Sequence, residues 1–305
     1  MLLGALALSG ALLALRWIVM ARRAAAEGKA PGAPTIVELA IGFITNFFDT
    51  LGIGSFATTT AAFHLLRLVP DELIPGTMII GHALPVVTQA LFFVSAVRVD
   101  PVQMTMLIAA CVVGGWFGAG VVSRLSRRAI QLGIGSGLLI AATFMMLSML
   151  GQFPAGGVAL ELAPRPFLTA LAINLLLGAL VTLGIGNYAP SLIMFSLLGM
   201  DPRAAFPIMM GSGAFVATVA GVRFIQAGRF HSRAALGLTA GGIPGVIVAA
   251  WLVQSLPLEA LRWLVLVVVV YASMTLLRAG IPKPAEVPSH VLEAIERYDE
   301  GASEA

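Results

Sequence analysis

The sequence predicts an all-α polytopic membrane protein: two inverted repeats, each a re-entrant broken-helix hairpin plus three spanning helices, preceded by one extra N-terminal span. Composition is the first reason. Of 305 residues, 59% are hydrophobic and 11% charged, and the mean hydropathy is +0.97, more apolar surface than a water-soluble domain can hide. Repetition is the second. Thr50-Leu51-Gly52-Ile53-Gly54 returns almost unchanged as Thr182-Leu183-Gly184-Ile185-Gly186, each copy midway along an apolar segment of about 30 residues, where a plain spanning helix has little use for two glycines.

The copies stay in step beyond the motif. Gly54, Phe63, Pro75, Met78 and Gly81 recur at one offset as Gly186, Phe195, Pro207, Met210 and Gly213. A few residues are then lost, and Gly114-Gly115 with Gly118 aligns with Gly241-Gly242 and Gly245. Internal duplication of this kind is common among secondary transporters.

Charge placement is the third reason. If every apolar segment crossed, Arg124, Arg127 and Arg128 would face the opposite side from Arg229 and Arg233. If the two Gly-broken segments dip in and return, both clusters join Arg22, Arg23, Lys29, Arg67, Arg223, Arg278 and Lys283 inside, leaving Arg98, Arg165, Arg203 and Arg262 outside. The positive-inside rule favours the second arrangement. It predicts a multi-pass protein of the plasma (bacterial inner) membrane, N-terminus outside and C-terminus cytoplasmic.

Taken in order, residues 1–21 form the extra span, retained rather than cleaved because no basic region precedes its apolar run. Residues 22–35 are a cytoplasmic linker. Repeat A, 36–150, holds apolar segments near 36–63, 73–96, 102–122 and 129–150. An extracytoplasmic loop at 151–166 leads to repeat B, 167–278, with segments near 167–198, 205–225, 234–254 and 258–277. Prolines between the segments suit helix starts. The acidic, Pro-containing stretch 279–305 reads as a cytoplasmic tail with a short helix over 289–298.

A broken helix in hydrocarbon must face protein or a wet cavity, since each backbone group without a partner costs several kcal/mol. The helix returning after each break aims its N-terminus, with about half a positive charge, at the bilayer midplane, an end suited to an anion. Gly52, Gly54, Gly184 and Gly186 supply the breaks. Thr50, Ser55, Thr58 and Thr59 around the first, and Thr182, Asn187, Tyr188 and Ser191 around the second, offer donors without a fixed charge; capping alone is the plainer role for them. Asn46 and Asp49 lie on the incoming helix of repeat A. Asp49, the sole carboxylate deep within an apolar segment, is a candidate for proton coupling or for pairing with backbone donors at the break. Val181 occupies its place in repeat B. His82 is the histidine well inside the membrane, with Ala214 as its counterpart and Ser212 the polar residue near that level of repeat B. The glycine-rich runs read as close helix packing.

These residues point to a small anionic solute and the lipid bilayer as partners, and to no nucleic acid, cofactor or metal. A single cysteine, Cys111, excludes an intramolecular disulfide. No His-x-x-x-His pair, nucleophile motif or carboxylate cluster suggests an enzyme.

The two Leu-Gly-Ile-Gly breaks, each continuing to a Pro-containing second segment, and the stretch Gly184-Ile185-Gly186-Asn187-Tyr188-Ala189-Pro190 resemble the TauE/SafE sulfite exporter family, also called the four-toluene sulfonate uptake permease family, over about residues 36–278. The resemblance implies transport of sulfite, organosulfonates or related sulfur-containing anions. Departures stand at the proposed site. The family's three consecutive glycines are replaced by Gly54-Ser55-Phe56 and Gly186-Asn187-Tyr188, and Thr58 stands where a proline is usual. An anion channel and a non-transporting membrane assembly or sensor component are the alternatives.

Overall fold

The structure, a computed structural model, describes residues 2–28, 32–50, 54–93, 99–152, 159–184, 186–252 and 258–281. Among them no strand forms, and helices follow one another as α1 (Leu2–Ala26), α2 (Ile36–Thr50), α3 (Phe56–Leu65), α4 (Ile74–Phe93), α5 (Pro101–Val122) and α6 (Arg127–Met149), then α7 (Pro164–Val181), α8 (Tyr188–Leu197), α9 (Pro202–Ala227), α10 (Ser232–Leu252) and α11 (Leu258–Gly280). A 3-10 turn, Asp71–Leu73, precedes α4. Seven of these described segments are long and apolar enough to cross a membrane, so the chain is a multi-pass membrane protein in architecture. The helix expected over 289–298 lies outside the described residues.

Both Leu-Gly-Ile-Gly segments are interrupted where the glycines stand: α2 stops at Thr50 and α3 starts at Phe56, α7 stops at Val181 and α8 starts at Tyr188. The pieces are unequal. At 10 residues, α3 and α8 rise only about 15 Å, half a bilayer core. With 18 residues, α7 rises about 27 Å and is long enough to cross by itself. The incoming arm of the second predicted re-entrant hairpin is therefore longer than expected: Pro164 starts α7 in its first turn, earlier than the apolar segment near 167–198 suggests.

Polar contacts tie the helix ends into two separate groups. At one end Arg233 Nε donates to Glu38 at 3.1 Å, the His231 N–H donates to Thr77 Oγ1 at 2.8 Å, and Arg229 donates to the Leu125 carbonyl at 3.3 Å. Arg128 Nε donates to the Gly280 carbonyl at 2.9 Å, and buried Asp71 gathers His64 at 2.8 Å and Gln131 at 2.7 Å. The start of α2 and the end of α3 therefore lie at this same, arginine-rich end. At the other end Gln103 binds both backbone groups of Leu162 at 2.8 Å, and Ala159 bridges Met200. The start of α7 and the end of α8 lie there.

The packing partners exchange when the halves are swapped. Helix α2 packs on α10 as α7 packs on α5, α4 on α10 as α9 on α5, and the pairs α4 with α9 and α6 with α11 map onto themselves. The equivalents Phe63 and Phe195 are both fully buried. Glycine makes the closest of these contacts. A Cβ on Gly114 would strike the Leu175 carbonyl, one on Gly178 the Cys111 carbonyl, and one on Gly245 the Phe43 carbonyl.

These contacts correct the register read from sequence. Gly114 meets Leu175 just as Gly245 meets Phe43, and Cys111 faces Gly178 just as Gly242 faces Asn46. Gly114 is therefore matched by Gly245 rather than by Gly241, one helical turn along. The letters favour the other register, which pairs three glycines, Gly114, Gly115 and Gly118, with Gly241, Gly242 and Gly245; only the facing helix decides against it.

The start of α2 is a capping box. The Thr35 N–H and hydroxyl donate to Glu38 Oε2 at 2.7 and 3.0 Å, and the Glu38 N–H donates to Thr35 Oγ1 at 3.3 Å. Burial pushes the Glu38 carboxyl up, but the Thr35 donors and the Arg233 guanidinium outweigh it and hold Glu38 below the usual carboxylate range. Burial and the Arg233 charge hold His231 below its usual range; its Nδ1 accepts the Ala234 N–H at 3.3 Å. A carboxylate with a lowered folded pKa contributes stability above its unfolded value, and that stability disappears as pH falls through the folded one. Thermal melts of wild type and Glu38→Gln should thus differ by a constant amount from pH 7 to about 5 and converge below about pH 4, under the ordinary glutamate value. Convergence already near pH 6 would contradict this.

Candidate functional site

The first break is closed by its own side chains. Along α2, Thr45, Asn46 and Thr50 bond back to the carbonyls of Ile41, Gly42 and Asn46, each at 2.8 Å. Beyond the break Gly54 has φ +90°, where an L side chain costs about 1–2 kcal/mol. The Ser55 N–H at the start of α3 then donates to Asp49 Oδ1 at 2.8 Å. The carboxylate thus caps the returning helix from six residues upstream, a charge-assisted bond to the positive end of a helix dipole. The Thr58 hydroxyl folds back onto Gly54 O at 3.2 Å and Ser55 O at 2.9 Å, and Gln89 Nε2 reaches the Asp49 carbonyl at 3.4 Å.

The second break is built differently. The N–H groups of Thr182, Leu183 and Gly184 bond three residues back, at 3.2, 3.0 and 2.9 Å, so α7 ends in a tightened 3-10 turn. The Thr182 hydroxyl bonds the Ala179 carbonyl at 2.6 Å. Gly184 has φ +92°, yet its sequence equivalent is Gly52; the equivalent of Gly54 is Gly186. Gly52 and the Tyr188 side chain lie outside the described residues.

Tertiary packing brings the second break against the first half. A Cβ on Gly184 would stand 2.8 Å from Met78 Cε and 3.7 Å from Thr60 Oγ1, and Thr60 donates to Met78 Sδ at 3.0 Å. Asn187 Nδ2 reaches the Met209 carbonyl at 3.4 Å, and a Cβ on neighbouring Gly213 would touch both Asn187 Oδ1 and Val86 of α4. Around Gly54 and Gly186, by contrast, no heavy atom comes within 4 Å of a Cβ position. Both glycines, Asp49 and Asn187 are half-exposed, so the breaks border open space.

Asn46, Thr59 and His82, separate in sequence, form one fully buried chain. Thr59 Oγ1 lies 2.9 Å from His82 Nε2, His82 Nδ1 lies 3.0 Å from Asn46 Oδ1, and Asn46 Nδ2 donates to Gly42 O. The last carbonyl can only accept, so Asn46 presents its oxygen to Nδ1–H, and a neutral ring then accepts the Thr59 hydroxyl at Nε2. The imidazole ties α2, α3 and α4 together. Gly242 leaves room for it, since a Cβ there would come 2.5 Å from Asn46 Nδ2.

Among the described residues repeat B shows no such chain. Ser191 Oγ and Asn174 Nδ2 are buried with no hydrogen-bond partner, each residue 1% exposed. Ser212, equally buried, lies beside the Cys111 thiol. Sequence reasoning singled out Asn46, Thr59 and His82 individually but missed that they are one unit; their separations of 13 and 23 residues carry no helical periodicity that would link them. Among the described residues no group of three or more His, Cys, Asp or Glu could hold a metal ion. The chain matches no family model, no curated protein and no solved structure.

Proposed function

We propose that this chain is a secondary transporter for a small anion, moved by alternating exposure of a midplane site between two inverted repeats. One observation carries the reading. Two helix breaks lie within the bundle and border open space, the second packed against Met78 and Thr60 of the first half, and each is followed by a short helix whose N-terminus begins at the break. The re-entrant, inverted arrangement is supported by the two groups of helix ends: α2 starts and α3 ends at one, α7 starts and α8 ends at the other. The concentration of arginines at the first end supports a cytoplasmic placement for it, in a plasma membrane. The resemblance to the TauE/SafE family favours sulfite, an organosulfonate or a related sulfur-containing anion as the solute.

Purified protein in liposomes should take up labelled sulfite or methanesulfonate saturably, faster when unlabelled anion waits on the opposite side. Conduction without saturation or counter-stimulation would identify a channel. Folded protein that moves none of these anions would refute the proposal and leave an assembly or sensor role.

A further inference from the structure

The two breaks differ in a consistent way: each polar partner in the first is replaced by an apolar residue in the second. The Ser55 N–H is taken by Asp49 and the Thr59 hydroxyl by His82. Residue for residue, Ser55, Thr59, Asp49 and His82 correspond to Asn187, Ser191, Val181 and Ala214. Asn187 begins α8 with no side-chain capping bond. Ser191 Oγ, on the first turn of a 10-residue helix and 1% exposed, has no partner. Side chains on a helix tilt toward its N-terminus, so this hydroxyl is aimed at the same end as the dipole. An unpartnered buried hydroxyl costs about 1–3 kcal/mol, a cost that a bound acceptor removes. At Gly186, in the break that leads into the same helix, a Cβ would meet nothing within 4 Å, so open space borders this helix end.

We infer that the solute anion binds at the N-terminus of α8 alone, one oxygen on the Ser191 hydroxyl, while Asp49 acts as a built-in anion filling the equivalent place on α3. The inference rests on the anion-transport reading and adds to it an asymmetric site holding one anion per chain. Two anions side by side at the midplane would repel each other, and a tethered carboxylate satisfies one helix end permanently without admitting a second solute.

Titration calorimetry on the full chain in detergent, with sulfite and methanesulfonate as probes, tests this. Wild type should bind about one anion per chain. Ser191→Ala removes a hydroxyl that bonds nothing in the empty protein, so thermal stability should hold or rise while affinity falls about tenfold or more, as expected for loss of a hydrogen bond to a charged group. Val181→Asp, which places a carboxylate over α8 as Asp49 lies over α3, should abolish binding, whereas Val181→Asn should not. Asp49→Ala should raise the stoichiometry to about two. If Ser191→Ala and Val181→Asp bind as wild type does while Asp49→Ala loses the anion, the site lies at α3; the inference then fails and the transport reading survives. If folded wild type binds neither probe, both fail.

Discussion

Gly178→Ala should destabilise the protein severely, by about 3 kcal/mol or more. Overpacking a core ordinarily costs 1–3 kcal/mol because side chains shift to make room. Here the obstacle is the Cys111 carbonyl itself, and backbone on a 22-residue helix cannot step aside without moving α5 from α7 along their contact. Gly114, set against the Leu175 carbonyl, belongs to the same interface and will not compensate. Gly213→Ala is the internal comparison: its new methyl would sit 3.7 Å from Asn187, an ordinary contact, and it gains helix propensity. Denaturation in detergent should therefore separate the two alanines clearly. Equal melting behaviour would mean that α5 and α7 are not packed backbone to backbone.

His82→Ala is expected to cost about 2–4 kcal/mol, through the cavity left by the ring and through two orphaned polar groups, Asn46 Oδ1 and Thr59 Oγ1. Within membranes an interhelical hydrogen bond contributes only about 0.6 kcal/mol on average, so the orphaned groups and the lost packing dominate over the bonds themselves. That predicts an asymmetry. Thr59→Val combined with His82→Phe should be less destabilised than the sum of the two single changes, because removing both partners of that bond leaves Asn46 Oδ1 as the one group of the chain still without a bond. Strict additivity in that double-mutant cycle would show that the two side chains do not interact. The same chain joins α2, α3 and α4, so its loss should also loosen the first break, visible as faster amide exchange at the start of α3.

The breaks illustrate how much of the site was legible. Two glycines inside an apolar segment are costly in a continuous helix, and that cost alone located both interruptions to within a few residues. Which glycine turns the chain was not legible. Gly54 takes a left-handed φ while its equivalent Gly186 does not, and in the second break Gly184 takes it: such a turn can sit at either glycine of the motif, and only the fold chooses. Asp49 stood out as a lone carboxylate, but its acceptor role toward Ser55 required the chain to fold back by a specific amount. Likewise the latch between Glu38 and Arg233 joins residues whose distance in sequence gives no hint that they meet.

By itself the sequence determined that this chain belongs in a bilayer, that it is a duplicated unit, and where its helices stop. Those properties follow from composition, repetition and the backbone limits of glycine and proline, all of which act locally. The tertiary structure decided what faces what: the register of α5 and α10 against their partners, the union of Asn46, His82 and Thr59, and the contact of Gly184 with Met78. A glycine repeated every helical turn fits several registers, and a buried polar group can accept several partners. Only the simultaneous packing of all the helices removes that degeneracy.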